Sequence, residues 1–233
     1  MALEFNGSDN HIIISSSADT DYGTGAFAVV FLVRCIAVDR INILYSHGGS
    51  NQAKGTGGVI AISGSGGDNY LKYYCSGFRI RGTTNIVADT WYYVAMVGNG
   101  GANGSRTIKL YLDETQEGST FTYDYDFGQE NLWIGANEDL PAECIDGNIA
   151  DARVYKRELS LVERQSIYNT RGSDNIVNGL VGRWLMNELS SGSVATGAGS
   201  VKDISPAGNH GTAANSPIYR QAPMRLYKPQ ILI

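Results

Sequence analysis

The residues best suited to chemistry in this chain are its clustered carboxylates, its three histidines and one Asp/Asn/His stretch late in the sequence. Two carboxylates hydrolyse a glycoside when strand alternation holds them on one face, one as nucleophile and one as acid. Asp113, Glu114 and Glu117 in "YLDETQE" are not spaced that way and read as a hairpin turn. Glu138, Asp139 and Glu143 in "NEDLPAE" are interrupted by Pro141 and read as a loop. His11, His47 and His210 sit in unrelated contexts, and no Ser or Cys occupies a G-x-S-x-G elbow. "GSGGDN" lacks the Lys-Ser/Thr and the helix start of a phosphate-cradling loop. That leaves "VKDISPAGNHGT", Val201–Thr212, where Asp203, Asn209 and His210 lie between turn formers. It is either a ligand cluster or a turn in which Asp203 and Asn209 hydrogen-bond their own backbone. No catalytic residue is expected.

The elements that would carry these residues are strands. Hydrophobic period two runs through "HIIIS", "GAFAVVFLVR", "RINILYS", "GVIAIS", "NYLKYYC", "TWYYVAMVGN", "RTIKLYLD", "NLWIGA" and "GNIADARVY", with Gly, Asn, Asp and Ser clusters between them. The 29 glycines, 14 tyrosines and only 5 prolines suit many turns joining aromatic and β-branched runs. The pattern predicts an antiparallel sandwich within the 233 residues. One segment departs from it. "LSLVERQSIYNTRG" places Leu161, Val162, Gln165, Ile167 and Tyr168 at three- and four-residue spacings. Ser160 and Glu163 form a capping box there and Gly172 offers a left-handed stop, which predicts one helix near 160–170.

A net charge of −5 with scattered Lys and Arg gives no support to a nucleic-acid partner. The longest apolar run, Ala26–Val33, is too short to cross a bilayer and fits a strand buried on both faces. "MALEFNGSDN" shows neither a basic start nor an apolar leader, so synthesis in the cytoplasm without a signal peptide is expected. Cys35, Cys75 and Cys144 show no CxxC spacing and are expected as reduced, mostly buried thiols. Trp91, Trp133 and Trp184 lie inside apolar strands and read as core. "TFTYDYDFG" alternates as a strand with its aromatic face inward.

Several of these pieces in this order resemble a concanavalin A-like jelly roll of the laminin G-like type: "ALEFNGSDNHI", "AFAVVFLVR", "DTWYYVAMVGN", "RTIKLYLDETQ", "LWIGANED" and "IDGNIADARVYKRELSLVERQSIYN". The resemblance covers residues 2–170. "GLVGRWLMNELSSG" and "VKDISPAGNHGT" are similar to the segment that usually precedes the opening strand, yet here they come last. The resemblance therefore implies a circularly permuted single domain. Its main body is 2–170, residues 179–222 supply the displaced leading segment, and 223–233 form an apolar tail able to dock on a neighbour. Leu180–Met186 is then expected in the same sandwich as Ala2–Phe5, with the Val201–Thr212 turn near the N-terminus in space.

The resemblance also implies ligands. A structural Ca²⁺ would fall on the acidic turns at Asp9, Asp146 and Asp203, with Asn209 as an amide ligand, because oxygen donors suit a hard cation. Sugar binding would use loop aromatics beside polar groups, with Tyr22, Tyr70, Asn51 and Asn103 as the candidates and Tyr123, Tyr125 and Asp124 as further ones. No E-x-D-x-x-E set of the kind carried by glucanases on this fold is present, so β-glucanase activity is a remote alternative. The expected role is non-enzymatic. One form is a virion or particle surface protein, phage-type, meeting capsid or tail neighbours or itself, with possible binding of cell-surface glycans. The other is a stand-alone carbohydrate-binding lectin or adhesin module.

Overall fold

The computed structural model describes residues 1–48, 58–63, 68–75, 77–102, 104–123, 127–128, 130–138, 143–170 and 172–222. In chain order the elements are β1 (Ala2–Asn6), β2 (His11–Ile14), β3 (Phe27–Cys35), β4 (Ile41–His47), β5 (Gly58–Ser63), β6 (Tyr70–Tyr74), β7 (Phe78–Arg81), β8 (Trp91–Gly98), β9 (Arg106–Leu112), β10 (Thr115–Tyr123), β11 (Leu132–Ile134), β12 (Asp146–Tyr155), α1 (Leu161–Thr170), β13 (Leu180–Trp184), β14 (Gly197–Val201), β15 (Gly211–Ala214) and β16 (Ile218–Arg220). The strands form two antiparallel sheets facing one another. The first runs β10-β9-β8-β3-β12-β1-β16, with β13 also on β12; the second runs β14-β15-β2-β11-β4-β5-β6-β7.

Alternation explains what each face buries. In β3, Phe27, Val29, Phe31 and Val33 point into the shared core. Ala28, Val30 and Leu32 point outward, where they cluster with Tyr93 of β8, Tyr155 of β12, Leu159, and Ile167 of α1. The continuous apolar run thus marks a strand covered on both sides. Each such side chain contributes roughly 1.5–3 kcal/mol on burial. Cys35, Cys75 and Cys144 are buried free thiols.

The helix forms where its caps lie. Ser160 Oγ accepts from the Glu163 backbone N–H at 3.3 Å, and Glu163 accepts from the Ser160 N–H at 2.9 Å. Arg157 donates to both oxygens of Glu163, at 2.6 and 2.9 Å. Gly172 takes φ +92°, and a Cβ there would lie 2.8 Å from the Asp151 carboxylate, so no larger residue fits. The apolar face differs from the spacing-based reading. Ile167 is buried, whereas Leu161 and Val162 stand 52% and 74% exposed.

The late segment joins both sheets. β13 pairs with β12 through Ala152–Tyr155, and β1 pairs with the same edge of β12 through Asp146–Ile149. β3 holds the opposite edge. β13 and β1 therefore lie end to end and run the same way, meeting at a bulge where Asp151 has φ +45°. β15 pairs with β2, β16 pairs with β1, and Trp184 bridges to Asp203. Residues 223–233, the expected docking tail, lie outside the described residues.

At the bulge sits a buried charge network. Arg153 forks onto Asp174 with two 2.8 Å bonds and onto Asp151 at 2.5 and 3.1 Å, while Arg183 reaches Asp151 at 2.8 Å. Bidentate guanidinium–carboxylate pairs are the strong kind of charged hydrogen bond. They bind the bulge to β13 and to the connection leaving α1.

Candidate functional site

The second sheet carries the most distinctive surface. Cross-strand registers align Thr212, Ile13, Trp133, Ser46, Val59, Tyr74 and Phe78 in one row over β15, β2, β11, β4, β5, β6 and β7. Leu132, Ile134, Ile60 and Tyr73, the neighbours of these residues along their strands, face the core, so the row faces outward. Aromatic rings stand at two places along it. Trp133 stacks on His11 with centroids 4.6 Å apart, and Tyr74 meets Phe78 edge-on at 5.8 Å. Adjacent strands lie about 4.8 Å apart, which separates Trp133 from Tyr74 by roughly 14 Å. Trp133 was expected in the core; its ring is half-buried on this outer face, as is Trp91 on the outside of the first sheet beneath Arg34. Trp184 is fully buried.

Beside Tyr74 the row opens into a cleft of about 260 Å³ lined by Ile41, Ile43, Val59, Tyr74, Gly77, Asn137 and Glu143. Its floor is aliphatic, from β4 and β5. One wall is the Tyr74 ring. Asn137 and Glu143 follow β11, which flanks β4, and so line the cleft from the side away from β6. The Asn137 amide hydrogen-bonds the Glu143 carboxyl, and burial lifts that carboxyl above its ordinary range, with the amide pulling it partly back. An apolar floor, one aromatic wall and a convergent amide–carboxylate pair are the composition of a small-molecule pocket.

Of the expected sugar-site residues, the described ones, Tyr22, Tyr70 and Tyr123, do not come together in one site. Tyr22 is 4% exposed; it stacks on Phe27 at 4.8 Å and shares a 2.9 Å hydroxyl bond with Tyr45, so it is core. Tyr123 is likewise buried. Tyr70 sits on the outer face of β6, but Arg81 covers its ring at 4.2 Å. Asn51, Asn103, Asp124 and Tyr125 lie outside the described residues. The cleft was missed because Ile41, Ile43, Val59 and Tyr74 read as ordinary strand residues. Glu143 stood in a segment set aside as a loop, and only the fold brings it opposite Tyr74.

The calcium set does not fit one ion. Asp203 accepts from the Arg183, Ser205 and Asn209 backbone N–H groups and from the Ser205 hydroxyl, at 2.7–2.8 Å. Its oxygens are fully used in holding the turn. Asn209 gives its amide N–H to Val181 O and accepts from Ser17. Asp9 bonds Asn6 at 2.8 Å, and Asp146 lies by Gly7 and Arg40. Among the described residues no group of three His, Cys, Asp or Glu side chains is placed to hold a metal, whereas calcium takes 6–8 converging oxygens.

The sequence profile of the Concanavalin A-like lectin/glucanases superfamily matches residues 6–163, and the chain belongs to that family. No curated protein matches it by sequence. Among solved structures it is similar to a Bacteroides ovatus protein described as a candidate carbohydrate-binding protein, with TM-score 0.70 and 18% identity. That similarity covers 97% of this chain, which spans 61% of the other's length. It is also similar to the CBM40 of a Ruminococcus gnavus IT-sialidase, solved with α2,3-sialyllactose (TM-score 0.53, 13% identity, 71% of this chain and 95% of that one). Domain 4 of a Geobacillus stearothermophilus GH43 extracellular arabinanase, solved with arabinotriose, is similar at TM-score 0.53 and 15% identity, over 71% and 75% of the two chains. At these identities the likeness is one of fold.

Proposed function

We propose that this chain is a non-catalytic carbohydrate-binding module whose ligand occupies the cleft over β4, β5 and β6. The observation that carries the reading is the cleft itself, with Tyr74 facing Asn137 and Glu143 across an aliphatic floor. A sugar ring has an apolar C–H face for the aromatic wall and hydroxyls for the amide and carboxylate. The saccharide-binding proteins among its structural relatives support the same reading. Glycoside hydrolysis requires two carboxyl groups roughly 5–9.5 Å apart. The described lining holds one, Glu143. Binding without cleavage is therefore the expected chemistry. The strand order is read as a circular permutation within one domain, supported by the end-to-end placement of β13 and β1. The docking tail expected for the particle-surface role, residues 223–233, lies outside the described residues, and the cleft carries the reading instead.

Tyr74→Ala tests it. The wild type should bind at least one oligosaccharide on a glycan array, and the variant should lose about tenfold or more in affinity, since buried aromatic anchors dominate binding energy. Unchanged binding in a variant with wild-type thermal stability moves the site elsewhere.

A further inference from the structure

We infer that this cleft selects uncharged saccharides and turns away acidic ones bearing carboxylate, sialate or sulfate groups. The inference rests on the saccharide reading above and names the ligand class. Glu143 is the charged group among the described lining residues, and it is an anion. Asn137 holds it in place, so it does not swing away freely when a ligand enters.

The cations described around the cleft are already engaged. Arg40, next to Ile41 in the chain, donates to the Gly7 carbonyl. Lys72 pairs with Asp68 at 2.9 Å. Arg81 forks onto Asp68 at 2.6 and 3.1 Å and lies over Tyr70. An acidic sugar entering the cleft would meet the Glu143 carboxylate with no cation among the described lining residues to offset the repulsion. Like charges brought together at an interface cost affinity steeply, the more so where the pocket excludes water. A neutral sugar meets the opposite situation. A carboxylate is an acceptor with two oxygens, suited to hydrogen bonds from neighbouring hydroxyls, while Ile41, Ile43, Val59 and Tyr74 take its apolar face.

The test is a panel of neutral oligosaccharides (gluco-, xylo-, manno-, galacto- and arabino-) and acidic ones (sialylated, polygalacturonate, sulfated), titrated against the full chain and against Glu143→Gln. The wild type should bind neutral members, with acidic members about tenfold weaker or more. Glu143→Gln keeps the shape and a hydrogen-bonding group, and should narrow that gap to within about threefold. Tightest binding to acidic members overturns the inference and leaves saccharide binding standing. A gap unchanged in Glu143→Gln also overturns it, because the discrimination then arises elsewhere. Retention of no saccharide by the wild type overturns the saccharide reading and the inference with it.

Discussion

Arg153 is fully buried, and its side chain is the joint of the network at the β12 bulge. Removing it would leave the Asp151 and Asp174 carboxylates buried without their main partner. Breaking a buried ion pair from one side costs about 3–5 kcal/mol, far more than the pair itself contributes over an apolar substitute. Arg153→Ala should therefore lower the unfolding free energy by that amount, seen as a lower urea midpoint with the denaturant slope unchanged in equilibrium unfolding. Arg153→Lys keeps the charge but not the two-pronged geometry and should recover only part of the loss. A loss of unfolding free energy below about 1 kcal/mol would show the network to be dispensable. None of this was visible in "IADARVY". Simple alternation puts Asp151 and Arg153 on the side of Ile149. The reversed backbone at Asp151 shifts the phase, so Ala152 and Val154 join Ile149 in the shared core while Arg153 lies on the other face beneath the connection leaving α1. Residue type carries no signal for it. Trp133 failed for a related reason. Flanking apolar residues suggested burial, whereas Leu132 and Ile134 face the core and Trp133 faces out.

Among the elements, the strands were legible because period two survives even where both faces are covered, and the one described helix because its caps are side chains. Ser160 and Glu163 bond reciprocally as their spacing implies. Ser160→Ala should cost about 1 kcal/mol. The helix also carries a pH dependence. The Arg157 guanidinium holds the Glu163 carboxyl at about 2, below its ordinary value, despite partial burial, with the Ser160 cap adding to the effect. A depressed carboxyl stabilises the fold fully above its unfolded value, and that stabilisation drains away as pH falls toward about 2. Unfolding free energy should accordingly fall more between about pH 6 and about pH 3 in the wild type than in Glu163→Gln. Equal slopes would remove Glu163 from the acid response. The cleft was illegible at this scale because its walls come from β4, β5, β6 and the segment after β11. Only the register that sets Val59 beside both Ser46 and Tyr74 makes them neighbours.

For the whole molecule, the order of strands along the chain matters more than their number. Deleting residues 179–222 would strip β13 from β12, β15 from β2 and β16 from β1 at once. It would also expose Leu3 and Ile12, which lie in the shared core with Trp184 and Tyr219. Residues 1–178 alone should lack a cooperative thermal transition. A sharp melt near the wild-type temperature would instead make the late segment an appendage.

The pairing of β1 with β16 and of β2 with β15 also has a consequence during synthesis. Both early strands leave the ribosome roughly 200 residues ahead of their partners. At about 5–20 residues per second, they wait roughly 10–40 s with one edge unpaired. Unpaired edges invite pairing with other chains. During that interval a nascent chain would be open to chaperone capture at "ALEFN" and "HIII", and the closing strands would end it by covering those edges.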